Sequence, residues 1–427
     1  MSSQATEGIS IAVDQNEYLA EGADTVHAVI TVTTTGDLVA ATPPAPRVEI
    51  LILDRSTSMT GERFQEARKA AMAALDELPD GVEFAIVGGT LEGFPVYPDG
   101  YRTTPANRST RAAARDALKR LKADGGTAIG TWLAAANRLA QAHPKSIVHA
   151  ILLTDGKNQG ESRDQLDAQI EAATGVFSCD CRGVGSDWQE EELQAVASAL
   201  FGTADIVAKP QGLSADFAAM MRTSMAKSIP DLTLRVWIPT GAEVLSIKQV
   251  APAIEQLTDR RIESGPRTGD YPLGPWGAED REYHLQIRVE PAAPGREKLT
   301  ARVHILAEDQ VLGEGLVKAK WTTDLALSAR ISKRVAHYTG QAELAQVIQE
   351  GLAARKDGDD AAATAKLQRA VELAKDSGHD ATAKLLRAVV DVDERTGTVR
   401  LRDKVDPAEV MALGLRSTKT ARVRKEQ

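Results

Sequence analysis

Between Val48 and about Ala208, short apolar runs alternate with segments of helical periodicity, and this alternation limits the fold more than any other feature. The apolar runs are VEILIL, EFAIVG, HAILLT, VFSCDCRGVG and ADIVA, and the helical stretches include RFQEARKAAMAALDEL, STRAAARDALKRLKA, IGTWLAAANRLAQAH and SRDQLDAQIEAAT. Apolar strands separated by helices are typical of a parallel sheet that is covered by helices on both faces. We therefore predict a doubly wound α/β domain over residues 46–228.

Strand patterns lie on both sides of this region. Residues 8–34 show β-branched alternation broken by turn residues, which predicts two strands, and two strands cannot bury a core alone. From Asp231 to about Trp321, five more strand patterns are separated by Pro and Gly turns, as in an antiparallel sandwich. We therefore predict that strands within residues 8–40 join those within residues 229–325, so that the α/β domain is inserted in a split antiparallel β-sandwich.

The last part of the chain is predicted to be helical. Three helical patterns predict a helical domain over residues 326–395. They are LAQVIQEGLAARKDGD, DAAATAKLQRAVELAKDSG and HDATAKLLRAVVDVD. Residues 396–427 end in a polar and basic stretch, and we predict a C-terminal tail that is disordered at its end. The predicted fold class is therefore multidomain, α/β plus β plus α.

Composition excludes several classes of function. The net charge of −9 and the sequence pI near 5.5 argue against a nucleic-acid-binding surface along the whole chain. No stretch approaches the roughly 18 apolar residues that a membrane span requires, and the start MSSQATEG has no signal-peptide pattern. We therefore expect a cytoplasmic protein with no nucleic-acid or membrane partner.

The cysteines and two histidines are predicted to be structural. Cys179 and Cys181 form a C-x-C pair, which strand alternation places on one face, too close together for an easy disulfide. We expect two reduced thiols in or near a core, with metal binding or redox work as the alternative. His143 and His149 lack metal-ligand spacing on a shared helix face, and we expect surface or loop residues.

Oxygen-bearing side chains follow three separate segments at the expected carboxyl edge of the parallel sheet. In EILILDRSTSM, Asp54, Ser56 and Ser58 follow an apolar strand; DGGTAIG places Thr127 before a helix, and ILLTDG places Asp155 after another strand. Open parallel sheets have their sites at this edge, so we expect the five side chains to converge. Hydroxyl and carboxylate oxygens suit Mg²⁺, which takes octahedral oxygen coordination at about 2.0 to 2.1 Å. Mn²⁺ and Ca²⁺ are the alternatives.

Three short motifs of this chain resemble the metal-ion-dependent adhesion site of von Willebrand factor A domains. They are D-R-S-T-S at 54–58, G-G-T at 125–127 and T-D-G at 154–156. The resemblance covers roughly residues 46–210. It implies a fold that binds protein ligands through a bridging cation, with direct ligands from Ser56, Ser58 and Thr127, and with Asp54 and Asp155 acting mainly through water. The split sandwich further resembles bacterial, particularly actinobacterial, cytoplasmic members that occur alongside Ser/Thr kinases, phosphatases and forkhead-associated domains.

Alternative roles for these residues are weaker. A serine after a strand commonly caps the next helix, so Ser56 or Thr60 could satisfy free N–H groups there. The sequence has no G-x-S-x-G elbow and no G-x-x-x-x-G-K-[ST] loop. An aspartyl nucleophile at Asp54 is disfavoured, because such a phosphatase would need a second Asp at the position that Ser56 occupies.

The GVGSDW loop has two interpretations. Asp187 is predicted to be the N-cap of the following helix, QEEELQAVASAL. The functional alternative is that Trp188, together with the acidic residues Glu190, Glu191 and Glu192, forms part of a partner-binding rim.

Threonines near the C-terminus are candidate phosphorylation sites. Thr418 and Thr420 lie among Arg416, Lys419 and Arg422. A solvated basic end is one interpretation. The other is that a kinase phosphorylates Thr418 or Thr420, which would create a motif for a phosphothreonine-reading domain.

We therefore predict a non-enzymatic, Mg²⁺-dependent protein-interaction module or scaffold. A partner's Asp or Glu would complete the coordination of the cation, and by resemblance the partner could be a Ser/Thr kinase, a phosphatase or a forkhead-associated domain protein. The alternative is an accessory subunit of a chelatase-like or chaperone-like AAA ATPase machine. A metal-dependent hydrolase would need a general base near the site, and none is visible in these motifs.

Overall fold

The structure is a computed structural model that describes residues 8–36, 45–377, 379–393, 398–402 and 404–420. These residues form two compact units. The first, called the α/β unit, comprises residues 45–230. The second, called the sandwich-helical unit, combines residues 8–36 with the described residues from Asp231 onward. The sandwich-helical unit begins with the strands β1 (Ile9–Gln15), β2 (Tyr18–Ala20) and β3 (Thr25–Thr34).

The α/β unit contains a seven-stranded sheet. Its strands are β4 (Arg47–Asp54), β5 (Glu83–Gly89), β6 (Gly93–Tyr97), β7 (Thr104–Pro105), β8 (Ile147–Thr154), β9 (Ser178–Val184) and β10 (Ala204–Val207). The strand order is β10-β9-β8-β4-β5-β6, with β7 also paired to β5. The pairs among β4, β5, β8, β9 and β10 are parallel, which confirms the predicted doubly wound fold.

Two antiparallel strands next to β5 were not predicted. β6 has the sequence GFPVY, is half-buried along its whole length and contains Pro95, so it lacks the continuous apolar run of the parallel strands. Proline is tolerated at sheet edges because no neighbouring strand requires its missing N–H group. β6 and β7 both pair with β5 in antiparallel orientation.

Six helices accompany this sheet in the described part of the unit: α1 (Glu62–Glu77), α2 (Arg108–Arg120), α3 (Ile129–Ala140), α4 (Arg163–Ala173), α5 (Glu190–Ala199) and α6 (Leu213–Met225). On α1, buried residues recur at helical spacing, as at Ala67, Ala71 and Leu75, and they share one core with Leu51 of β4 and Phe217 of α6. The helix α3 contacts β4, β5 and β6.

Strand β4 lies where the order of the sheet reverses. It pairs with β8 on one side and with β5 on the other. In open α/β sheets, sites form outside the carboxyl ends of the strands at such a reversal. Asp54 ends β4 and Thr154 ends β8, so the motifs found in the sequence lie at this point.

A buried ionic network lies in the same sheet and corrects one prediction. His149 is only 4% exposed, and its ring nitrogens lie 2.7 Å from Glu49 Oε2 and 3.1 Å from Asp180 Oδ2. The prediction of a surface or loop histidine was wrong, because the partners of His149 come from β4 and β9 and share no local pattern with it. His143 is half-buried and bonds to the Thr103 hydroxyl, at 3.0 Å.

The two cysteines lie on β9, as predicted. Cys179 and Cys181 are free thiols with no exposed surface, and their sulfur atoms are 3.9 Å apart. Hydrogen bonding to Cys181 and burial raise the pKa of the Cys179 thiol well above its ordinary value, so this thiol stays protonated and unreactive.

The sandwich is completed by the strands that follow the α/β unit. They are β11 (Thr233–Trp237), β12 (Ala242–Ala251), β13 (Glu255–Gln256), β14 (Ile262–Gly265), β15 (Thr268–Pro272), β16 (Asp280–Val289), β17 (Glu297–Ala307) and β18 (Gln310–Thr322). The two sheets have the orders β1-β3-β16-β12-β13 and β14-β15-β11-β17-β18-β2. The N-terminal strands therefore pair with later ones, which confirms the split sandwich.

The helical region extends further than predicted. It comprises α7 (Leu325–Ser328), α8 (Lys333–Lys356), α9 (Asp360–Asp376), α10 (Asp380–Val389), the hairpin β19 (Val390–Val392) and β20 (Val399–Leu401), and α11 (Pro407–Ser417). Leu413 of α11 is buried in one cluster with Leu344 and Leu386. The tail predicted over residues 396–427 was therefore wrong at β20 and α11, because the apolar face of α11 completes the helical core. Residues 396–397, 403 and 421–427 lie outside the described residues.

Among the described residues, no helix is both long enough and apolar enough to cross a membrane.

Candidate cation site

Asp54 anchors the site at the end of β4. Its carboxylate is fully buried; Oδ1 accepts the Ser56 backbone N–H at 2.6 Å and Oδ2 accepts the Thr154 hydroxyl at 2.6 Å. Burial raises the pKa of Asp54 to about 6, hydrogen bonds from Ser56 and Thr154 oppose the rise, and the charge of Asp155 adds to it. Asp54 therefore joins the ends of β4 and β8 while carrying a poorly solvated negative charge.

The two serines turn toward the same point. A short 3₁₀ turn, Thr57–Met59, follows β4, and the hydroxyl oxygens of Ser56 and Ser58 lie 2.9 Å apart. Ser58 also donates to Asp155 Oδ1 at 2.7 Å. The alternative role of Ser56 or Thr60 as a cap of α1 was wrong, because the N-cap is Gly61 with no side-chain hydrogen bond and the Thr60 hydroxyl bonds to the Thr57 carbonyl.

Gly156 marks the point on which the predicted hydroxyls converge. A Cβ atom built on Gly156 would lie 3.1 Å from Ser58 Oγ, 3.1 Å from Thr127 Oγ1 and 3.8 Å from Ser56 Oγ. The backbone holds this arrangement, since the Thr57 N–H donates to the Gly125 carbonyl at 2.9 Å. The fold therefore brings together side chains from three loops, separated by about seventy and about a hundred residues along the chain.

The chemistry of this set fits a hard divalent cation. Three neutral hydroxyls surround a small space, and two buried carboxylates, Asp54 and Asp155, lie behind them. Oxygen donors without nitrogen or sulfur suit Mg²⁺, Mn²⁺ or Ca²⁺. In the part of the chain that the structure describes, no group of three or more His, Cys, Asp or Glu side chains is arranged to hold a metal. The hydroxyl-rich set is therefore the candidate cation site.

Two residues that the sequence analysis missed tie the loops of the site together. Glu161 Oε1 accepts the Gly130 N–H at 2.6 Å, and Asn158 Oδ1 accepts the Ile129 N–H at 3.2 Å. These N–H groups belong to the first turn of α3, the helix that follows Thr127, where no partner exists within the helix. The carboxylate also neutralises the positive end of the helix dipole. No motif signals this contact, because the partners are 31 residues apart and belong to different elements.

Arg63 is a third residue that the sequence analysis missed. It lies in the first turn of α1, and its Nη1 atom is 2.8 Å from Asp155 Oδ2. The same guanidinium lies 3.4 Å from Asp187 Oδ2. Asp187 is therefore an ion-pair partner and its predicted N-cap role was wrong, since α5 begins at Glu190 after Gln189.

The prediction of a partner-binding rim at Trp188 was wrong. Trp188 is 3% exposed, its indole N–H donates to the Gly185 carbonyl at 3.0 Å, and its ring covers Gly183. The GVGSDW loop folds the ring back onto β9, where it packs, and Glu192 is also buried. Leu91 is an exposed apolar side chain beside the site; it is 54% exposed and lies against Gly126, the residue before Thr127, and Gly160, whose N–H donates to the Thr127 carbonyl.

The threonines near the C-terminus are held in place. The Thr418 hydroxyl donates to the Leu415 carbonyl at 3.0 Å, and the Thr420 hydroxyl donates to the Val250 carbonyl at 2.6 Å. Both side chains are half-buried, so the predicted disorder was wrong at these positions, whereas phosphorylation of Thr418 or Thr420 stays a prediction. The Ile254 N–H donates to the Thr418 carbonyl, and a phosphate on Thr420 would break the bond of its hydroxyl to Val250 of β12.

Comparisons with known proteins agree with the fold. Residues 48–206 match the family model described as von Willebrand factor type A domain, and residues 372–417 match that of a von Willebrand factor type A C-terminal domain. A solved structure described as von Willebrand factor type A from Catenulispora acidiphila is 45% identical, with 99% of each chain covered and a TM-score of 0.93.

More distant relatives share parts of this likeness. The structure of the ArnB paralog VWA2 from Sulfolobus acidocaldarius shares the fold, with 13% identity, coverage of 96% of this chain and 98% of that one, and a TM-score of 0.59. An uncharacterized protein of Synechocystis sp. is 23% identical over 62% of each chain. The human von Willebrand factor A domain-containing protein 5B1 is 26% identical over 46% of this chain and 16% of its own length. The chain thus spans less than two thirds of the curated relatives it matches.

Proposed function

Because this chain belongs to the von Willebrand factor type A family, we propose that it is a protein-interaction module that binds an acidic side chain of a partner through a divalent cation. The observation that carries the proposal is the convergence of the Ser56, Ser58 and Thr127 hydroxyls beside Gly156, with Asp54 and Asp155 buried behind them. Mg²⁺ is the proposed ion, with Mn²⁺ and Ca²⁺ as alternatives.

Each side chain has a proposed role in holding the cation. Ser56, Ser58 and Thr127 would bind it directly, and Asp54 and Asp155 would act mainly through water. When bound, such a cation supplies an open coordination position for an outside carboxylate. Since the proposed direct ligands are neutral, less of the positive charge would be cancelled than by direct carboxylate ligands, and a partner's Asp or Glu would be attracted to it.

The hydrogen bonds around Asp54 support a preformed site. Its two oxygens accept from the Ser56 N–H and the Thr154 hydroxyl, so the carboxylate cannot rotate without breaking two bonds. The bonds of Asn158 and Glu161 to α3 hold the Thr127 loop against the loop that follows β8. A preformed arrangement lowers the entropy lost when the cation and the partner bind.

A non-enzymatic role is also part of the proposal. A serine nucleophile needs a base within hydrogen-bond reach, usually a histidine or a lysine. Within the described residues, the hydroxyls of Ser56 and Ser58 contact each other and the carboxylates of Asp54 and Asp155. The other oxygen of Asp155 contacts Arg63. This environment favours a binding role over nucleophilic catalysis.

A co-precipitation experiment tests the proposal. The tagged full chain would be incubated with native lysate in Mg²⁺ and in EDTA, with Ser56→Ala/Ser58→Ala as the test variant. Ser109→Ala is a matched control, because it removes an exposed hydroxyl in the same unit, away from the site. We expect wild type and the control to retain a set of proteins in Mg²⁺ but not in EDTA. The test variant should retain this set in neither condition. Identical retention in all conditions would contradict the proposal.

The partner class and the location remain predictions. The resemblance stated from the sequence points to a cytoplasmic Ser/Thr kinase, phosphatase or forkhead-associated domain protein, and mass spectrometry of the retained proteins would identify the class. If an AAA ATPase were retained instead, stimulation of its ATP hydrolysis by the chain would distinguish an accessory subunit from a passive scaffold.

A further inference from the structure

Arg63 places a permanent positive charge against the buried carboxylate of the candidate cation site. Its Nη1 atom is 2.8 Å from Asp155 Oδ2, while Asp155 Oδ1 accepts the Ser58 hydroxyl at 2.7 Å. Asp155 has no exposed surface, whereas the Arg63 side chain is 34% exposed. Both oxygens of Asp155 are therefore occupied, one by a proposed cation ligand and one by a guanidinium that cannot lose its proton.

The guanidinium also has a second acidic neighbour. Asp187, in the loop after β9, lies 3.4 Å from it and is 66% exposed. A Cβ atom on Gly185 would come within 3.3 Å of Arg63 Nη2, so the glycine leaves room for the guanidinium at this turn. Arg63 thus lies between the loops that follow β8 and β9, with a carboxylate on each side.

We propose that Arg63 lowers the intrinsic affinity of the site for a divalent cation, an inference that rests on the proposed function. Like charges repel, and the partly buried position of Arg63 makes the repulsion less screened than that between surface charges. Asp155 must share its negative charge between Arg63 and the cation. The cation alone is then held weakly, and an anionic ligand that adds negative charge is needed for tight binding.

The test is a titration of the full chain with Mn²⁺, in which the electron paramagnetic resonance signal reports unbound ion. The variants are Arg63→Gln and Arg63→Met, which both remove the charge, so that one remains informative if the other fails to fold. We expect each to bind Mn²⁺ about tenfold more tightly than wild type at low salt, with a smaller difference at high salt. Arg63→Lys, which keeps the charge, should bind within about threefold of wild type.

Arg55→Gln is the matched control for net charge. Arg55 lies within the same D-R-S-T-S motif, but its guanidinium donates to the Lys122 carbonyl at 2.8 Å and lies over the Phe94 ring. We expect a smaller effect than for Arg63→Gln. Equal tightening by both variants would overturn the inference, because the effect would then reflect net charge and not the contact with Asp155.

The remaining outcomes separate this inference from the proposed function. In one outcome, wild type binds Mn²⁺ through Ser56 and Ser58, and Arg63→Gln binds it with equal or lower affinity. This result overturns only the inference. Binding by Arg63→Gln but not by wild type supports it. If neither wild type nor Arg63→Gln binds Mn²⁺, the proposed function and the inference are both overturned. The same conclusion follows if Ser56→Ala/Ser58→Ala binds Mn²⁺ as tightly as wild type does.

Discussion

The Ser58 hydroxyl donates a hydrogen bond of 2.7 Å to Asp155, a residue 97 positions later in the chain. The bond connects the turn after β4 with the loop after β8, and it lies beside the point where Thr127 also arrives. Removing the hydroxyl would remove both a proposed cation ligand and this link between loops.

Ser58→Ala is expected to abolish stabilisation of the chain by Mg²⁺. A ligand that binds only the folded state raises the free energy of unfolding in proportion to the logarithm of its concentration. Thermal unfolding in millimolar Mg²⁺ and in EDTA should therefore differ for wild type and coincide for the variant. Ser109→Ala should behave as wild type, and a Mg²⁺ response that survives in Ser58→Ala would contradict this role of the hydroxyl.

Gly156→Ala is expected to weaken cation binding at least about tenfold while the α/β unit stays folded. The new methyl group would lie 3.1 Å from the hydroxyls of Ser58 and Thr127 and would occupy the space between them. Isothermal titration with Mn²⁺ would measure the change. Gly212→Ala is the control, because its Cβ would meet only Val207 at an ordinary 3.6 Å; equal affinities for the two variants would be the contrary result.

The α/β unit is expected to lose stability as the pH rises toward 9. Burial alone would lower the pKa of His149, but the carboxylates of Glu49 and Asp180 outweigh burial and raise it from 6.5 to about 9. Since the pKa is higher in the folded state, the stabilisation is fully present below pH 6.5 and is lost as the pH rises through about 9. The loss is at most about 3.5 kcal/mol, because each pKa unit corresponds to about 1.4 kcal/mol.

Urea unfolding of wild type and His149→Gln at both ends of this range would measure the effect. The variant should be less stable at the lower pH and should show a flatter dependence on pH. His143→Gln is the control, since the His143 side chain is half-buried and bonds to the Thr103 hydroxyl, a neutral group. An unchanged slope in His149→Gln would show that other groups carry the pH dependence.

Trp188→Ala is expected to lower the free energy of unfolding of the α/β unit by about 3 to 5 kcal/mol, because it empties a buried aromatic site. The indole is 3% exposed and packs on Gly183. Chemical denaturation would measure the loss. Leu91→Ser is the comparison: Leu91 is 54% exposed, so little stability should be lost, while Mg²⁺-dependent capture of partners should weaken. Full stability of Trp188→Ala would mean that the ring does not pack as described.

Leu413→Ala is expected to destabilise the helical region by about 2 to 5 kcal/mol, because Leu413 is fully buried among Leu344 and Leu386. Hydrogen exchange of α8 and α10 would report the loss locally. Leu325→Ala should have little effect, since Leu325 is 79% exposed. Equal protection in both variants would indicate that α11 adds nothing to this core.

The amino-acid sequence by itself determined the doubly wound sheet and the split sandwich. It also supplied the five residues of the proposed cation site, three as direct ligands and two as residues acting mainly through water. The apolar runs of β4, β5 and β8 are continuous because both faces of a parallel sheet are covered, and this pattern is local and readable. The ends of those strands must lie at one edge, so Asp54 and Asp155 could be placed together without knowing a single distance. Thr127 follows no strand, and it was placed with them from its Gly-rich loop before a helix and from the motif resemblance.

Only the tertiary structure decided how the remaining polar and aromatic residues are used. Arg63 meets Asp155, Glu161 meets the N-terminus of α3, and His149 lies between two carboxylates, all through contacts between distant segments. Trp188 is buried although it was predicted to lie in an exposed rim, because the exposure of a loop side chain depends on where the loop folds back. Strand and helix periodicity are set by backbone geometry within a few residues, whereas pairing of charges and burial of loops are set by packing between segments that no local pattern connects.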